Sequence, residues 1–229
     1  MHMATIAIIG GTGNLGFGLA RRWALAGKKV IIGSRTADKA QASAAELTDL
    51  CKARGLVGAV SGAANLDAAN AADIVVLTVP FSHQKPTLEE IRAGLSGKIL
   101  IDTTVPLVPP KVMRVQLPAE GSAAQLAQAV VGEDVRVVSA FQNVAADLLQ
   151  SDAELECDVL VCSDDKEARA EVVGLVEAAG MRGFQAGSLA NSAAAEALTS
   201  LLIFINKQYK SHAGIRITGI PDGDGGSAH

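Results

Sequence analysis

The chain has 229 residues, a net charge of −4 and 49% hydrophobic residues, enough to bury the core of one good-sized α/β unit plus a smaller appendage. Charged residues make up 19% and aromatics 3%, so the basic surface that duplex phosphates require and the stacking platforms of single-strand binders are both lacking, and nucleic acid is excluded as the main partner. No window of about 18 apolar residues is read as a membrane span, no secretory leader precedes the first strand, and Cys51, Cys157 and Cys162 are odd in number without metal-type spacing; the expectation is a cytoplasmic protein with free buried thiols, no membrane partner and no metal site.

The first apolar run, Ile6-Ala7-Ile8-Ile9, empties into Gly10-Gly11-Thr12-Gly13-Asn14-Leu15-Gly16. The spacing Gly11-x-Gly13-x-x-Gly16 fits the dinucleotide-binding pattern. In that pattern the first glycine permits the tight turn, the second removes a side chain where a pyrophosphate approaches, and the third lets the following helix pack on the strand. Free N–H groups and the helix dipole then face the anion. The context is right: residues 14–26 read as a helix and Val30-Ile31-Ile32-Gly33 as a second strand, which completes a βαβ unit. The competing reading is a strand-turn-helix packed with small residues and no ligand.

The end of the second strand selects the coenzyme. An NAD site puts Asp or Glu there, whereas the 2′-phosphate of NADP needs cations and hydroxyl donors. This chain has Gly33-Ser34-Arg35-Thr36, with Lys39 one helical turn further on and no carboxylate before Asp38. Arg35 can fork onto phosphate oxygens, Ser34 can donate a hydroxyl hydrogen bond, Lys39 adds a point charge, and Thr12 reaches from the glycine turn. NADP(H) is the expected coenzyme; the alternative is that Arg35 and Lys39 are ordinary solvated cations.

Further along, residues 36–53 read as a helix, 57–60 as a short strand, and 65–71 as a helix capped by Asn65. Asp73-Ile74-Val75-Val76-Leu77-Thr78-Val79 has the near-continuous apolar character of a parallel strand buried on both faces, and Pro80 stops it. A helix over 83–93, a strand over 98–102, a proline-rich loop over 103–118, a helix opened by Ser122, a strand over 135–139 and a short helix over 144–149 follow. This alternation predicts a Rossmann-type doubly wound parallel sheet with helices on both faces, over residues 1–150. Residues 151–219 form a small C-terminal α/β or helical domain, with a strand over 158–162, a helix over 165–179 and a long apolar helix over 191–209. A helix that apolar must be covered, by the first unit or by a second copy of the chain, and a homodimer is the commonest solution. Residues 220–229 read as a disordered tail.

Ligands of such sheets bind beyond the carboxyl ends of the strands. There His83 is the best ionisable candidate, with a helix-start histidine bonded to backbone as the alternative. Gln142 and Asn143 can bind carbonyl or hydroxyl groups of a hydride acceptor, or serve as turn-forming polarity before a helix. Asp102 closes its strand and orients the proline-rich loop. No catalytic triad is present, and none is needed where two cofactors exchange a hydride.

With the glycine turn, Gly33-Ser34-Arg35 and Lys39 in place, the chain resembles the NADPH-dependent reductases of the deazaflavin coenzyme F420 (F420H2:NADP oxidoreductases). The likeness spans residues 4–217 and includes Leu77-Thr78-Val79-Pro80 with His83, Val138-Ser139-Ala140, Val161-Cys162-Ser163-Asp164-Asp165 and Leu198-Thr199-Ser200-Leu201-Leu202. The resemblance implies direct hydride exchange between nicotinamide C4 and deazaflavin C5, with F420 as co-substrate. It also implies that Thr12, Asn14, Leu15, Ser34, Arg35 and Lys39 hold the adenosine phosphates and pyrophosphate, that Val79, Phe81 and His83 line the route toward the nicotinamide, and that Ala146 and Ala213 complete the dinucleotide pocket. The family commonly carries His-Thr-Ile-Pro beside the deazaflavin ring, where this chain has Gln142-Asn143-Val144-Ala145. Two alternatives stay open on that ground: reduction of another acceptor (a flavin, a ferric chelate or a small carbonyl compound), and a non-catalytic NADP-sensing module.

Overall fold

A computed structural model describes residues 4–56 and 59–220. Its central sheet is parallel throughout, in the order β3-β2-β1-β4-β5-β6, built from β1 (Thr5–Ile9), β2 (Lys29–Ser34), β3 (Val60–Ala64), β4 (Ile74–Leu77), β5 (Ile99–Asp102) and β6 (Arg136–Ser139). Helices α1 (Asn14–Leu25), α2 (Ala37–Ala53), α3 (Asn65–Ala71), α4 (Phe81–Ile91), α5 (Ala123–Val131) and α6 (Ala146–Leu149) connect or follow these strands. The strands are apolar because both faces are covered. Along β1, Ile6 and Ile8 join the core with Leu19, Trp23 and Leu47, while Ala7 and Ile9 join the opposite core with Leu88, Leu100 and Ala127. The period-two alternation thus feeds two cores from one strand. The chain order reverses between β1 and β4, which places a ligand crevice at their carboxyl ends.

The C-terminal segment adds β7 (Asp158–Val161), α7 (Lys166–Ala178), β8 (Arg182–Gln185) and α8 (Ser192–Tyr209). Strands β7 and β8 pair in parallel as a second sheet, and an antiparallel bridge between Ser139 and Cys162 ties it to β6. Trp23, fully buried on α1, locks the two parts together. Its Nε1 donates to the Leu175 carbonyl on α7 at 2.8 Å, and its ring meets Phe141 edge-on at 5.9 Å. Arg22 donates to the carbonyls of Leu148, Leu149, Ser151 and Ala153, so α1 also anchors the linker into β7.

Several expectations are corrected. Strand β3 begins at Val60 and runs on to Ala64, rather than spanning 57–60, and Val57 lies outside the described residues. Asn65 does not cap α3: it is the first helical residue, Ala64 holds the cap position, and no side-chain cap bond forms. Strand β8 was not expected, because Arg-Gly-Phe-Gln offers no apolar alternation; a Cβ at Gly183 would meet Val173 Cγ1 and Val176 Cβ at 3.2 Å, so the glycine is there to let α7 press onto the strand. Cys157 is half-exposed rather than buried. Of the expected tail, residues 221–229 lie outside the described residues.

One stretch departs from the expectation that no window is apolar enough for a span, on length and composition alone. The stretch Leu189–Tyr209, 21 residues with mean hydropathy 1.3, is long and apolar enough to cross a membrane by length and composition. Glu196, Thr199 and Asn206 interrupt its apolar letters, which is why no apolar window stood out. One face of α8 is docked: Ser192, Ala195, Glu196, Ser200 and Leu202 are buried. The other exposes Leu201, Phe204, Ile205 and Tyr209.

Replacing Trp23 by Ala removes the largest shared side chain and the bond to Leu175. Urea unfolding is expected to show a loss of about 3–5 kcal/mol; a loss below about 1 kcal/mol would show that the two parts do not depend on this residue.

Candidate dinucleotide site

The glycine turn is wedged between β1, β2 and the end of β4. Gly10 has φ +76°, and a Cβ there would stand 2.8 Å from Val79 Cγ1. The Gly11 amide donates to the carbonyls of Ile8 (3.1 Å) and Gly33 (2.9 Å), and a Cβ on it would lie 2.7 Å from the Ile8 oxygen. Gly16 faces Thr78, whose Oγ1 would be 2.5 Å from an added Cβ, with Gly11 Cα at 2.8 Å. Thr78 Oγ1 is fixed by donating to the Ile9 carbonyl at 2.9 Å. The positive φ of the turn therefore falls on Gly10, one residue before the motif, while Gly11 answers to close packing. Gly13 differs: a Cβ would touch only the Gly10 oxygen, at 3.4 Å, and the residue is exposed. It holds the cap position of α1 without a side chain. The first-turn N–H groups of α1, on Asn14, Leu15 and Gly16, have no acceptor among the described residues.

Beside this turn lies a cleft of about 500 Å³. Gly10, Thr12 and Gly13 form one wall, Ser34, Arg35, Thr36 and Lys39 a second, and Thr78, Val79, Pro80 and His83 a third. Ser34 is buried at the end of β2, whereas Arg35 and Lys39 are exposed and have no ion pair among the described residues. Two free cations beside a helix N-terminus make this end of the cleft attractive to phosphate. The His83 amide donates to the Pro80 carbonyl at 2.8 Å, but its exposed imidazole makes no hydrogen bond among the described residues, so the backbone-bonded alternative does not hold for the side chain. Phe81 starts α4 half-buried and is not on the cleft wall.

Four residues of the cleft escaped sequence reasoning: Asn65, Pro86, Thr87 and Glu90. The last three follow His83 by three, four and seven positions, the spacing of one helix face, so the signal was present once His83 was placed on a helix.

Gln142 and Asn143 are both buried and are not on this cleft. Gln142 Nε2 donates to the Asp102 carbonyl and to Ser139 Oγ, each at 2.9 Å, while its Oε1 has no partner among the described residues. Asn143 Nδ2 donates to the Ala195 carbonyl at 2.8 Å and to Thr199 Oγ1 at 3.1 Å. The Asn143 amide, with the Gln142 carbonyl accepting from Thr199 Oγ1 at 2.9 Å, holds α8 over the end of β6, while the Gln142 side chain ties the ends of β5 and β6 together. Ala146 opens α6, its carbonyl lies 3.4 Å from a Cβ added to Gly18, and it does not line the cleft. Ala213 lines a second cavity of about 420 Å³ with Val144, Cys157 and His212. The pairing of the Asp158 amide with the Ile215 carbonyl at 2.8 Å draws the C-terminal segment there. The structure thus brings Thr12, Gly13, Ser34, Arg35, Lys39, Val79, Pro80 and His83 together and leaves Gln142, Ala146 and Ala213 elsewhere.

Two buried carboxyls stand behind the site. Asp102, fully buried at the end of β5, accepts from Gln84 Nε2 at 2.6 Å and from the Thr104 amide at 2.9 Å. It orients the start of the proline-rich loop, as expected, and burial pushes its pKa up to about 6. Glu196 on α8 is 1% exposed and accepts from the first-turn amides of α5, Ala123 at 2.7 Å and Ala124 at 3.2 Å. Burial, with the nearby charge of Asp102, pushes it up to about 7. Sequence gave no sign of this role, because a glutamate in a helix reads as a solvated one.

Both folded-state values lie above the ordinary carboxylate range. Between roughly pH 4 and 7 the folded protein holds protons that the unfolded chain releases, so these groups make stability fall as pH rises through that window. Thermal unfolding is expected to show a midpoint that declines from pH 5 to 8, with Glu196→Gln flattening the decline. An identical pH profile for wild type and variant would contradict this account of Glu196.

The fold is that of a Rossmann-like oxidoreductase, with a glycine turn and a cation-bearing cleft at the switch point of its sheet. The family described as NADP oxidoreductase coenzyme F420-dependent matches residues 5–106. The F420-dependent NADP reductase of Methanocaldococcus jannaschii is 42% identical over 221 residues, covering 94% of this chain and 98% of that protein. The enzyme of the same name from Methanothermobacter thermautotrophicus is 42% identical over 224 residues, 95% of this chain and 96% of the relative. A crystal structure assigned as an F420-dependent NADP-reductase, from Arthrobacter sp. FB24, superposes with a TM-score of 0.75 at 25% identity, over 92% of this chain and 96% of that one. The chain belongs to the family of F420-dependent NADP reductases.

Proposed function

We infer that this chain is an NADP-dependent oxidoreductase that passes a hydride between the nicotinamide and coenzyme F420. The observation that carries the reading is the cleft itself, where a glycine turn, a helix N-terminus and two cations without an ion pair among the described residues converge in a member of this family. In this reading Arg35, Lys39, Ser34 and Thr12 hold the 2′-phosphate, and the first-turn amides of α1 face the pyrophosphate across Gly13. Val79, Pro80 and His83 lead from there toward the nicotinamide. NADP(H) carries the hydride at nicotinamide C4 and the deazaflavin at C5; the protein's part is to align the two rings and exclude water.

One observation favours a second reading, reduction of a different acceptor. In the segment Gln142-Asn143-Val144-Ala145 each side-chain NH2 already donates twice within the protein, Gln142 to Asp102 and Ser139 and Asn143 to Ala195 and Thr199, so neither amide has a hydrogen left to donate to a deazaflavin. The exposed apolar face of α8, with Phe204 at 55% and Tyr209 at 74% exposure, fits a homodimer formed through this helix. The three free thiols fit a reducing, cytoplasmic location.

Arg35→Ala is expected to weaken NADPH binding by about 1.5–3 kcal/mol, the range for hydrogen bonds to charged groups, and to leave NADH nearly unchanged. Equal losses for both coenzymes, measured by fluorescence titration, would contradict the phosphate role. For the acceptor, NADPH supplied with F420, FMN or a ferric chelate is expected to be oxidised fastest with F420. F420 turnover no faster than the FMN background would favour the second reading.

A further inference from the structure

We propose that Asn65 recognises the adenosine ribose of NADP, its side-chain amide pairing with the 3′-hydroxyl; the inference rests on the assignment of the cleft to NADP. Asn65 lies on the cleft and is 2% exposed, yet its Oδ1 has no hydrogen-bond partner among the described residues. It is free of the usual task of an asparagine at a helix start, since it does not cap α3. A buried amide oxygen without a partner lowers folding stability, so its retention at a ligand-lined position calls for an explanation.

Position and chemistry supply one. In the parallel pairing of β2 with β3, Ser34 stands opposite Ala64. Asn65 is the next residue, immediately beside the strand end that carries Ser34 and Arg35. A Cβ at Gly33 would lie 3.2 Å from Asn65 Oδ1 and 3.1 Å from the Ile8 oxygen, so the glycine leaves the room that the amide occupies. The amide is both donor and acceptor, whereas a phosphate oxygen only accepts. A ribose hydroxyl is also both. With the 2′-oxygen phosphorylated and held from Ser34 and Arg35, the 3′-hydroxyl is the group of that ring left for Asn65.

The test is calorimetric titration of the full chain with NADP+ and with its 3′-deoxyadenosine analogue. Wild type is expected to bind NADP+ about three- to tenfold more tightly than the analogue. Asn65→Ala is expected to lose that factor for NADP+, to keep the wild-type affinity for the analogue, and so to bind the two alike. Asn65→Ser, with a shorter hydroxyl side chain, is expected to fall between. Equal affinity of wild type for the two nucleotides overturns the proposal without any variant, and so does an equal loss for both in Asn65→Ala with an unchanged melting temperature. Arg35→Ala separates the underlying reading: it is expected to weaken both nucleotides alike, and a wild-type protein that binds neither overturns the NADP assignment together with this inference.

Discussion

The close approach of the first turn to the end of β4 is the constraint on which the site depends. Gly10 and Gly16 press against Val79 and Thr78 at distances no Cβ tolerates, and Thr78 is pinned to Ile9. This contact seats α1 so that its first amides open onto the crevice where the strand order reverses. The rest of the cleft follows from register. Strand β2 ends level with β1 and delivers Ser34 and Arg35, β3 delivers Asn65, and Pro80 turns the chain into α4, whose one face supplies His83, Pro86, Thr87 and Glu90.

The C-terminal segment is fastened to the end of the sheet at α5 and β6. Helix α8 is held by polar contacts rather than by apolar area alone: Glu196 sits on the amides of α5, Asn143 and Thr199 join it to the end of β6, and Ser192 bonds Ser122. Phe141, in the turn between, has φ +72°, a conformation rarely taken by a bulky residue. Its ring is held in place by Trp23, so the turn that follows β6 is braced by the same tryptophan that fastens α7. Strain maintained by packing is typical of segments that position ligands.

Much of this was legible in the sequence because its causes are local. Strands buried on both faces must be apolar and a turn pressed between strands must be glycine, so the alternation of elements, the glycine turn at Gly11, Gly13 and Gly16, and the position of Ser34, Arg35 and Lys39 beside it could be read directly. What stayed hidden depends on long-range contacts. Glu196 becomes a buried helix cap only when α5 and α8 meet, 72 and 73 residues apart in sequence. Asn65 is a plausible cap until the structure shows its amide turned to the cleft side of β2. Strand β8 has no pattern of its own and exists because α7 and β7 provide partners. Ala213 follows a C-terminal path set by Asp158 and Ile215, which no local rule specifies.

The central claim is that one cleft takes NADP through its 2′-phosphate. Titration calorimetry of the unaltered protein with NADP+ and NAD+, at low and high salt, tests it most directly. The account predicts one saturable site, at least about tenfold tighter for NADP+, with the gap narrowing as salt screens Arg35 and Lys39. Equal affinities for the two coenzymes, or no binding of either, would contradict it.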